Sequence, residues 1–293
     1  MVIICYETIF LNSEKERGFV MPTTHTHYKF GQEVLSTLPR SLKKSIEENQ
    51  SLYDIGLHGP DILFYYFPLS RNPVNSQGYA MHKKSAIDFF NHAKSVIEKS
   101  ENKDAALAYI YGFICHFALD SECHKYIEKM IHVSGISHSE IEMELDRMFL
   151  VDENIDPVNY LSTYHVKPTR ENAEVIAPFF EDLPPEKIKK TLRSMIFYHK
   201  LLLAPGSFKR KVLYGGLKIT GTYHSMHGMI MSEVPNPDCA DYLILLKKLY
   251  TGAVPLASGL IMNYQRSIIQ DTPLPSRFDQ TFGAGCNWEN LPL

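Results

Sequence analysis

The sequence predicts an all-α fold, a bundle of many helices. Apolar residues recur at steps of three and four, the period that turns one face of a helix towards a core. This pattern predicts helices over residues 31–49, 86–99, 103–130, 138–149, 185–203 and 240–267. Strand signals are weak, and residues 212–219 are too rich in glycine to be trusted as a strand.

Composition places the chain among ordinary globular proteins. It has 293 residues, 44% hydrophobic and 22% charged, enough for one large domain or two small ones. Its net charge of −3 gives no reason to expect nucleic acid as a partner. The five cysteines are scattered and include no CxxC pair, which favours a reducing compartment over a disulfide framework.

We expect no transmembrane segment, because no run approaches the roughly 18 apolar residues of a membrane span. No secretory signal is visible either, since the N-terminus lacks a basic stretch followed by an apolar one. We therefore predict a cytoplasmic protein, for which peripheral contact with a membrane stays open.

Three regions follow each other along the chain. Residues 1–20 are a candidate non-native extension, because Met21 begins a segment of different character and Lys15-Glu16 can be encoded by a sequence like a ribosome-binding site. Residues 21–150 carry the candidate ligands described below. Residues 152–170 contain few apolar residues and two prolines, so they could link this part to a helical region, residues 151–293, that we expect to pack in the same domain.

The loops before the long central helix carry unusual residues. Residues 22–28 read PTTHTHY and residues 56–61 read GLHGPD, and a polar loop leads to His82. An aromatic run follows the second loop: Phe64, Tyr65, Tyr66 and Phe67. It could form an apolar lip for lipid tails or a cage for a quaternary ammonium group, while at least two of the four rings are expected simply to pack in the core.

The most informative segment runs from residue 115 to residue 142. Its histidines and carboxylates recur at steps of four, first as His116, Asp120 and His124 and then as His138 and Glu142. A helix turns residues i and i+4 to one face, and zinc favours imidazole nitrogen and carboxylate oxygen. One such pair is more often a salt bridge. Two pairs with His124 between them predict metal, because burying so many ionisable groups without an ion costs several kcal/mol apiece.

These segments carry a resemblance. The pattern GFICHFALDSECHKY, followed by SHSEIEMELDR, resembles the bacterial zinc-dependent phospholipase C family, which is related in fold to the single-strand-specific zinc nucleases. The upstream segments PTTHTHYKFG, GLHGPDILFY and YAMHKKS are similar to that family's N-terminal histidine segment, Gly-Pro-Asp loop and following histidine. The matching segments spread over residues 21–147. The resemblance implies an all-helical protein that holds up to three zinc ions in one cleft.

The resemblance also implies a division of the ligands. One zinc would be held by Asp61, His82, His116 and Asp120. Asp120 would bridge to a second zinc that also takes His27. The third zinc would be held by His124, His138 and Glu142. In the secreted members the free N-terminus completes the second site, and the candidates for that position here are Pro22, His25 and His58.

The implied reaction is phosphodiester hydrolysis by zinc-activated water that attacks phosphorus. Asp61 would be a general base as well as a ligand. The substrate would be a phospholipid or another phosphodiester. Two alternatives stay open, namely a nuclease or phosphomonoesterase acting at the same site, and a metal-stabilised helical protein without catalytic activity.

Overall fold

Residues 23–293, the part of the chain that the computed structural model describes, fold entirely as helices and connecting segments. In this range there is no β-strand, only an isolated antiparallel bridge between Ser85 and Thr281. The α-helices are α1 (His25–Thr37), α2 (Arg40–Glu48), α3 (Gln50–Gly56), α4 (Pro73–Met81), α5 (Ile87–Lys99), α6 (Lys103–Ser134), α7 (His138–Asp152), α8 (Arg170–Ile176), α9 (Pro185–Leu202), α10 (Ser207–Ile219), α11 (Tyr223–Met226) and α12 (Ala240–Gln270). The prediction of an all-α fold is confirmed.

Helix α6 forms the centre of the molecule. It begins where the Asn102 side chain accepts a hydrogen bond from the Ala105 N–H, and it ends before Gly135, whose φ of 72° stops the helix. Its first five turns are buried almost throughout, and they pack against α3 on one side and α12 on another. The hydrophobic cluster around α6 extends from Phe30 to Phe282, so both halves of the chain contribute to it.

Helix α3 lies unusually close to α6. A Cβ atom added to Gly112 would lie 2.1 Å from the Tyr53 carbonyl oxygen, and one added to Gly56 would lie 2.2 Å from the Tyr109 carbonyl oxygen. The two backbones therefore touch at a pair of glycines. This close approach brings the loop after α3 against the middle of α6, where the candidate ligands begin.

Some predicted elements differ from the structure. The single helix predicted over residues 31–49 is wrong, because α1 ends at Thr37 and α2 begins at Arg40. Pro39 separates them, since a proline disfavours the helical conformation of the residue before it, and Leu38 is extended with ψ 153°. Residues 212–219 belong to α10. The Gly-Pro-Asp loop is a 3₁₀ helix, Gly59–Tyr65.

Among the described residues, one helical stretch, residues 237–270, is long and apolar enough to cross a membrane by those two criteria alone. This stretch was not predicted from the apolar runs of the sequence. The stretch contains α12, which packs against α1, α6 and α7. Its side chains that face these helices are buried: Leu246, Ala253, Ala257 and Ile261. The helix thus supplies one wall of the hydrophobic core.

Candidate metal centre

All eight predicted ligands lie together at one place in the fold. Five segments contribute them: α1, the 3₁₀ helix Gly59–Tyr65, the residue after α4, the middle of α6, and the first turns of α7. Their nitrogen and oxygen atoms form three groups, each with its ligand atoms within 4.8 Å of one another. The groups are His27 with His116 and Asp120, Asp61 with His82 and His116, and His124 with His138 and Glu142.

Asp120 lies at the centre of this arrangement. Its Oδ1 is 3.2 Å from His27 Nε2, and its Oδ2 is 3.0 Å from His116 Nε2. The same Oδ1 lies 3.7 Å from His124 Nε2, one helical turn away. The two oxygens of one carboxylate therefore face different sets of imidazoles, which is the geometry of a bridging ligand.

The other two groups are each built on one carboxylate. Asp61 Oδ1 lies 3.0 Å from His82 Nε2. Glu142 Oε1 lies 3.1 Å from His138 Nε2 and 3.4 Å from His124 Nε2. Glu142 and His138 are one turn apart on α7, as the spacing of four predicts.

These distances fit zinc. Two ligand atoms, each about 2.1 Å from one tetrahedral zinc ion, lie about 3.4 Å apart. The shortest nitrogen–oxygen separation in each of the three groups is 3.0 or 3.1 Å, close to this value. Several buried atoms of the groups face one another in ion pairs but make no well-formed hydrogen bond: Asp61 Oδ1, His116 Nε2 and Asp120 Oδ2, together with Glu142 Oε2. Because buried polar atoms are costly unless they are well paired, these atoms are suited to a bound ion.

The carboxylates of the centre attract positive charge, which a proton on an imidazole or a metal ion can supply. Burial lowers the pKa of His82, but the Asp61 carboxylate beside it outweighs burial and raises the pKa to about 9. Burial also lowers the pKa of His138, but the Glu142 carboxylate outweighs burial and raises the pKa to about 9. Burial tends to raise the pKa of Asp120, but His116 and His124 hold it well below its usual value. The carboxylate therefore stays ionised, as a metal ligand must.

Backbone carbonyls orient two of the imidazoles. His116 Nδ1 lies 3.3 Å from the Leu57 carbonyl oxygen, and His82 Nδ1 lies 2.9 Å from that of Gly78. Each contact turns Nε2 towards the centre, the usual role of the second nitrogen of a metal-binding histidine. Gly59 allows the loop to approach His116, because its φ is +49° and a Cβ atom there would lie 2.2 Å from the His116 ring.

The C-terminal part of the chain forms one wall of the centre. The Phe282 ring centroid lies 5.9 Å from that of His82 and 6.0 Å from that of His116. The Gly283 N–H donates to the His82 carbonyl oxygen at 3.0 Å. This segment thus packs on two of the ligand residues, His82 and His116.

Sequence reasoning missed Asp146, which lies one turn after Glu142. Its Oδ2 accepts from the backbone N–H groups of Thr24 and His25 at 3.2 and 3.1 Å, and its Oδ1 accepts from the N–H and hydroxyl of Thr26 at 2.8 and 2.6 Å. Asp146 therefore caps the start of α1 and sets where His27 enters the centre. Its spacing of four from Glu142 indicates that it lies on the same face of α7, and this is the pattern that could have identified it.

The further candidates for the second site lie outside the three groups. His58 Nε2 is 2.7 Å from His165 Nε2, and His25 Nε2 is 3.4 Å from a Glu153 carboxylate oxygen. Burial holds the pKa of His58 well below its usual value and lowers that of His165 to about 3, so this pair is neutral. Pro22 and the candidate extension 1–20 fall outside the described residues.

The aromatic run divides between interior and surface. Phe64 and Tyr65 are buried, and the Tyr65 hydroxyl lies 3.0 Å from His199 Nε2. Tyr66 is half-buried, whereas Phe67 is 51% exposed with Lys190 Nζ 3.7 Å from its ring centroid. Because a lysine already covers the exposed ring, this surface shows no open cage.

A family model described as zinc dependent phospholipase C matches residues 26–192. The match covers more than half of the chain and includes all eight predicted ligands. The chain belongs to the zinc-dependent phospholipase C family. No curated protein and no solved structure matches it. As a member of this family, whose zinc dependence agrees with the three ligand groups, the protein is a zinc hydrolase with Zn²⁺ as its cofactor.

Proposed function

We propose that this zinc-dependent phospholipase C family member hydrolyses phosphodiesters, with phospholipids as its main substrates. The observation that carries the proposal is the position of Asp120, whose two oxygens face different groups of imidazoles. A carboxylate placed in this way supports two neighbouring ions, the arrangement that holds both the nucleophile and a phosphoryl oxygen in enzymes that cleave phosphate esters. The family match supports the choice of phospholipid.

The Nε2 atom of His116 can bind one ion, so we assign it to the ion of Asp61 and His82. Asp120 would bridge that ion to a second one bound by His27, and the third ion would be held by His124, His138 and Glu142. Zinc bound there would lower the pKa of water to about 7 and stabilise negative charge on the phosphoryl group. Asp61 is 3% exposed and faces both His82 and His116. We infer that its carboxylate would orient the attacking water and accept its proton.

The substrate would reach the centre from the side of His138. The side chain of His138 is 28% exposed, whereas those of Asp120 and Glu142 are 3% and 5% exposed. A phosphodiester could therefore meet the third ligand group first, while the bridging carboxylate stays shielded from solvent. Shielding strengthens the attraction between the centre and the phosphate.

The test combines metal content with an assay panel. Zinc is measured in the purified protein, and hydrolysis is measured on phosphatidylcholine, a bis-aryl phosphodiester, single-stranded DNA and an aryl phosphomonoester. We expect three zinc ions per chain and fastest turnover of the lipid. Preference for DNA or for the monoester would instead support the alternatives, and zinc without turnover of any substrate would support a structural role.

Two variants test the roles of the carboxylates. Asp120→Asn should lower zinc content by at least one ion per chain and abolish turnover, whereas Asp61→Asn should lower kcat by about a hundredfold or more and weaken binding of inorganic phosphate far less. Asp152→Asn is the matched control, because this α7 carboxylate pairs with Lys247 at the surface. Full activity and full zinc content in Asp120→Asn would refute the proposal.

A further inference from the structure

The segment from residue 187 to residue 232 has an unusual charge. It contains nine lysines and arginines and no aspartate or glutamate, although the whole chain has a net charge of −3. The segment comprises most of α9, all of α10 and α11, and the residues that follow. One part of the protein is therefore strongly basic, while the rest carries the excess of negative charge.

Helix α10 has an apolar outer face. Phe208, Val212 and Ile219 lie on this face and are 81%, 58% and 90% exposed. The inner face, which carries Arg210 and apolar side chains such as Leu217, packs towards the protein and is more buried. A surface helix of a globular protein normally has polar side chains on its outer face.

This orientation is held by Arg210, which is 8% exposed. Its guanidinium donates to the carbonyl oxygens of Ala204 at 2.8 Å and Met231 at 3.4 Å, residues that lie before and after the helix, and it pairs with Glu233. A buried arginine with such partners fixes one side of α10 against the protein. The outward direction of the apolar face is thus built into the fold.

Lysines flank the apolar face on both sides. Lys211 and Lys218 follow one edge of it, and both are exposed. Lys209 lies on the other edge, where its ammonium donates to the carbonyl oxygens of Lys200 and Leu203 at 3.0 and 2.6 Å. The exposed Leu201, near the end of α9, adds a further apolar side chain just before this helix.

We propose that α10 docks the protein on an anionic lipid surface. Phe208, Val212 and Ile219 would enter the boundary between headgroups and acyl chains, and the flanking lysines would meet lipid phosphates, as in helices that lie in the membrane interface. Nucleic acid is the less suitable partner, because the centre of the surface consists of bulky apolar groups rather than hydrogen-bond donors.

The surface adjoins the metal centre through the segment after α10. His227, which follows α11, has its Nε2 3.2 Å from a Glu140 carboxylate oxygen, and Glu140 is two residues from His138. Docking by α10 would therefore hold the start of α7, which carries the partly exposed His138, near the lipid surface. The docking itself needs no turnover, so it can be tested separately from the proposed function.

The test is sedimentation of the zinc-loaded full chain with vesicles. We expect binding to vesicles of phosphatidylcholine mixed with an equal amount of phosphatidylserine, weaker binding to phosphatidylcholine alone, and loss of binding as salt is added. Lys211→Gln with Lys218→Gln should weaken binding by about 25-fold, at about fivefold for each lysine. Phe208→Ser with Ile219→Ser should weaken it by at least about tenfold.

Matched controls separate this surface from general effects. Lys43→Gln with Lys44→Gln removes the same charge from α2. Ile269→Ser replaces an exposed apolar side chain of α12, which is 75% exposed. These variants should bind vesicles as well as the unchanged protein. The proposal would be overturned if the control variants lost as much binding, or if the protein bound duplex DNA and not vesicles. It would also be overturned if the protein bound no vesicles and instead formed a dimer that Phe208→Ser dissociates.

The rate of hydrolysis of a soluble substrate provides an independent measurement on the same variants. All of these variants should hydrolyse the water-soluble bis-aryl phosphodiester at the unchanged rate, because none of the substituted residues belongs to the metal centre. If that substrate is not hydrolysed by any protein in the series, the proposed function fails while the docking result still stands.

Discussion

The Asp146 carboxylate joins the start of α1 to the face of α7 that carries Glu142. It accepts four hydrogen bonds from residues 24–26, and it lies one turn beyond Glu142 on α7. A carboxylate at a helix N-terminus is also favoured by the helix dipole. The position of His27 relative to the third ligand group therefore depends on a residue that binds no metal itself.

Replacing Asp146 should disturb the centre without removing a ligand. Asp146→Ala leaves the N–H groups of residues 24–26 without their acceptor, so we expect a loss of about 3 kcal/mol in the free energy of unfolding. Zinc content should fall because His27 is no longer held in place. Denaturant unfolding and metal analysis check both effects.

Thr169→Ala is the control for that variant, because Thr169 caps α8, and its Oγ1 accepts from the Asn172 N–H at 3.1 Å. It should lower stability by about 1 kcal/mol and leave zinc content unchanged. If Asp146→Ala kept its full zinc content, α1 would be held in place by its other contacts.

For single residues, the sequence predicts contacts within one helix but not contacts between distant segments. His116 and Asp120, like His138 and Glu142, are neighbours in any helix, so their spacing indicates that they share a face. The contact of Asp146 with residue 24 spans 122 positions, and that of His58 with His165 spans 107. Such pairs depend on how whole helices pack, and no local pattern encodes them.

Among the elements, the contact between α3 and α6 determines where the Gly-Pro-Asp loop meets the centre. Gly56 and Gly112 let the two backbones touch, and Leu57, just after α3, presents its carbonyl oxygen to His116. Asp61 follows four residues later, in the 3₁₀ helix Gly59–Tyr65. A shift between these two helices would therefore move the Asp61 carboxylate relative to the His116 imidazole of the same ligand group.

A matched pair of glycine substitutions tests this contact. In Gly112→Ala the added Cβ atom would lie 2.1 Å from a backbone oxygen, so the helices must separate, and we expect a loss of at least about 3 kcal/mol in unfolding free energy. In Gly252→Ala on α12 the Cβ atom has open space, and stability should rise by about 0.5–1 kcal/mol. Thermal and denaturant unfolding give both values, and equal effects would contradict the close contact.

The boundaries of elements were harder to predict than their existence. Pro39 divides the predicted helix 31–49, yet the apolar period continues across it, so period alone misses the break. Gly215 and Gly216 discouraged a regular element over residues 212–219, whereas α10 includes both. Apolar residues lie on both faces of this helix, and the sequence does not tell which of the two faces is covered.

For the whole molecule, the metal centre joins five segments of the chain around buried charges. Asp61, Asp120 and Glu142 are buried and come from three different segments. Without a cation, these carboxylates repel one another and depend on protonated imidazoles for compensation. Bound zinc would therefore contribute to the stability of the fold as well as to its chemistry.

Chelation should therefore lower the melting temperature. Removing zinc with a chelator should reduce Tm by at least about 10 °C, and adding zinc back should restore it, because ligands that bind only the folded state stabilise it. Scanning calorimetry measures the change. In Asp120→Asn the chelator should have a smaller effect, and an unchanged Tm in the original protein would show that the centre does not couple to folding.

The wall that Phe282 and Gly283 form around His82 has a practical consequence for dividing this protein. The family match ends at residue 192, so a shortened chain that ends there would retain all eight candidate ligands. It would lose the aromatic ring packed on His82 and His116 and the N–H that holds the His82 carbonyl. The smallest fragment that keeps this metal centre intact therefore extends at least to Gly283, far beyond the end of the family match.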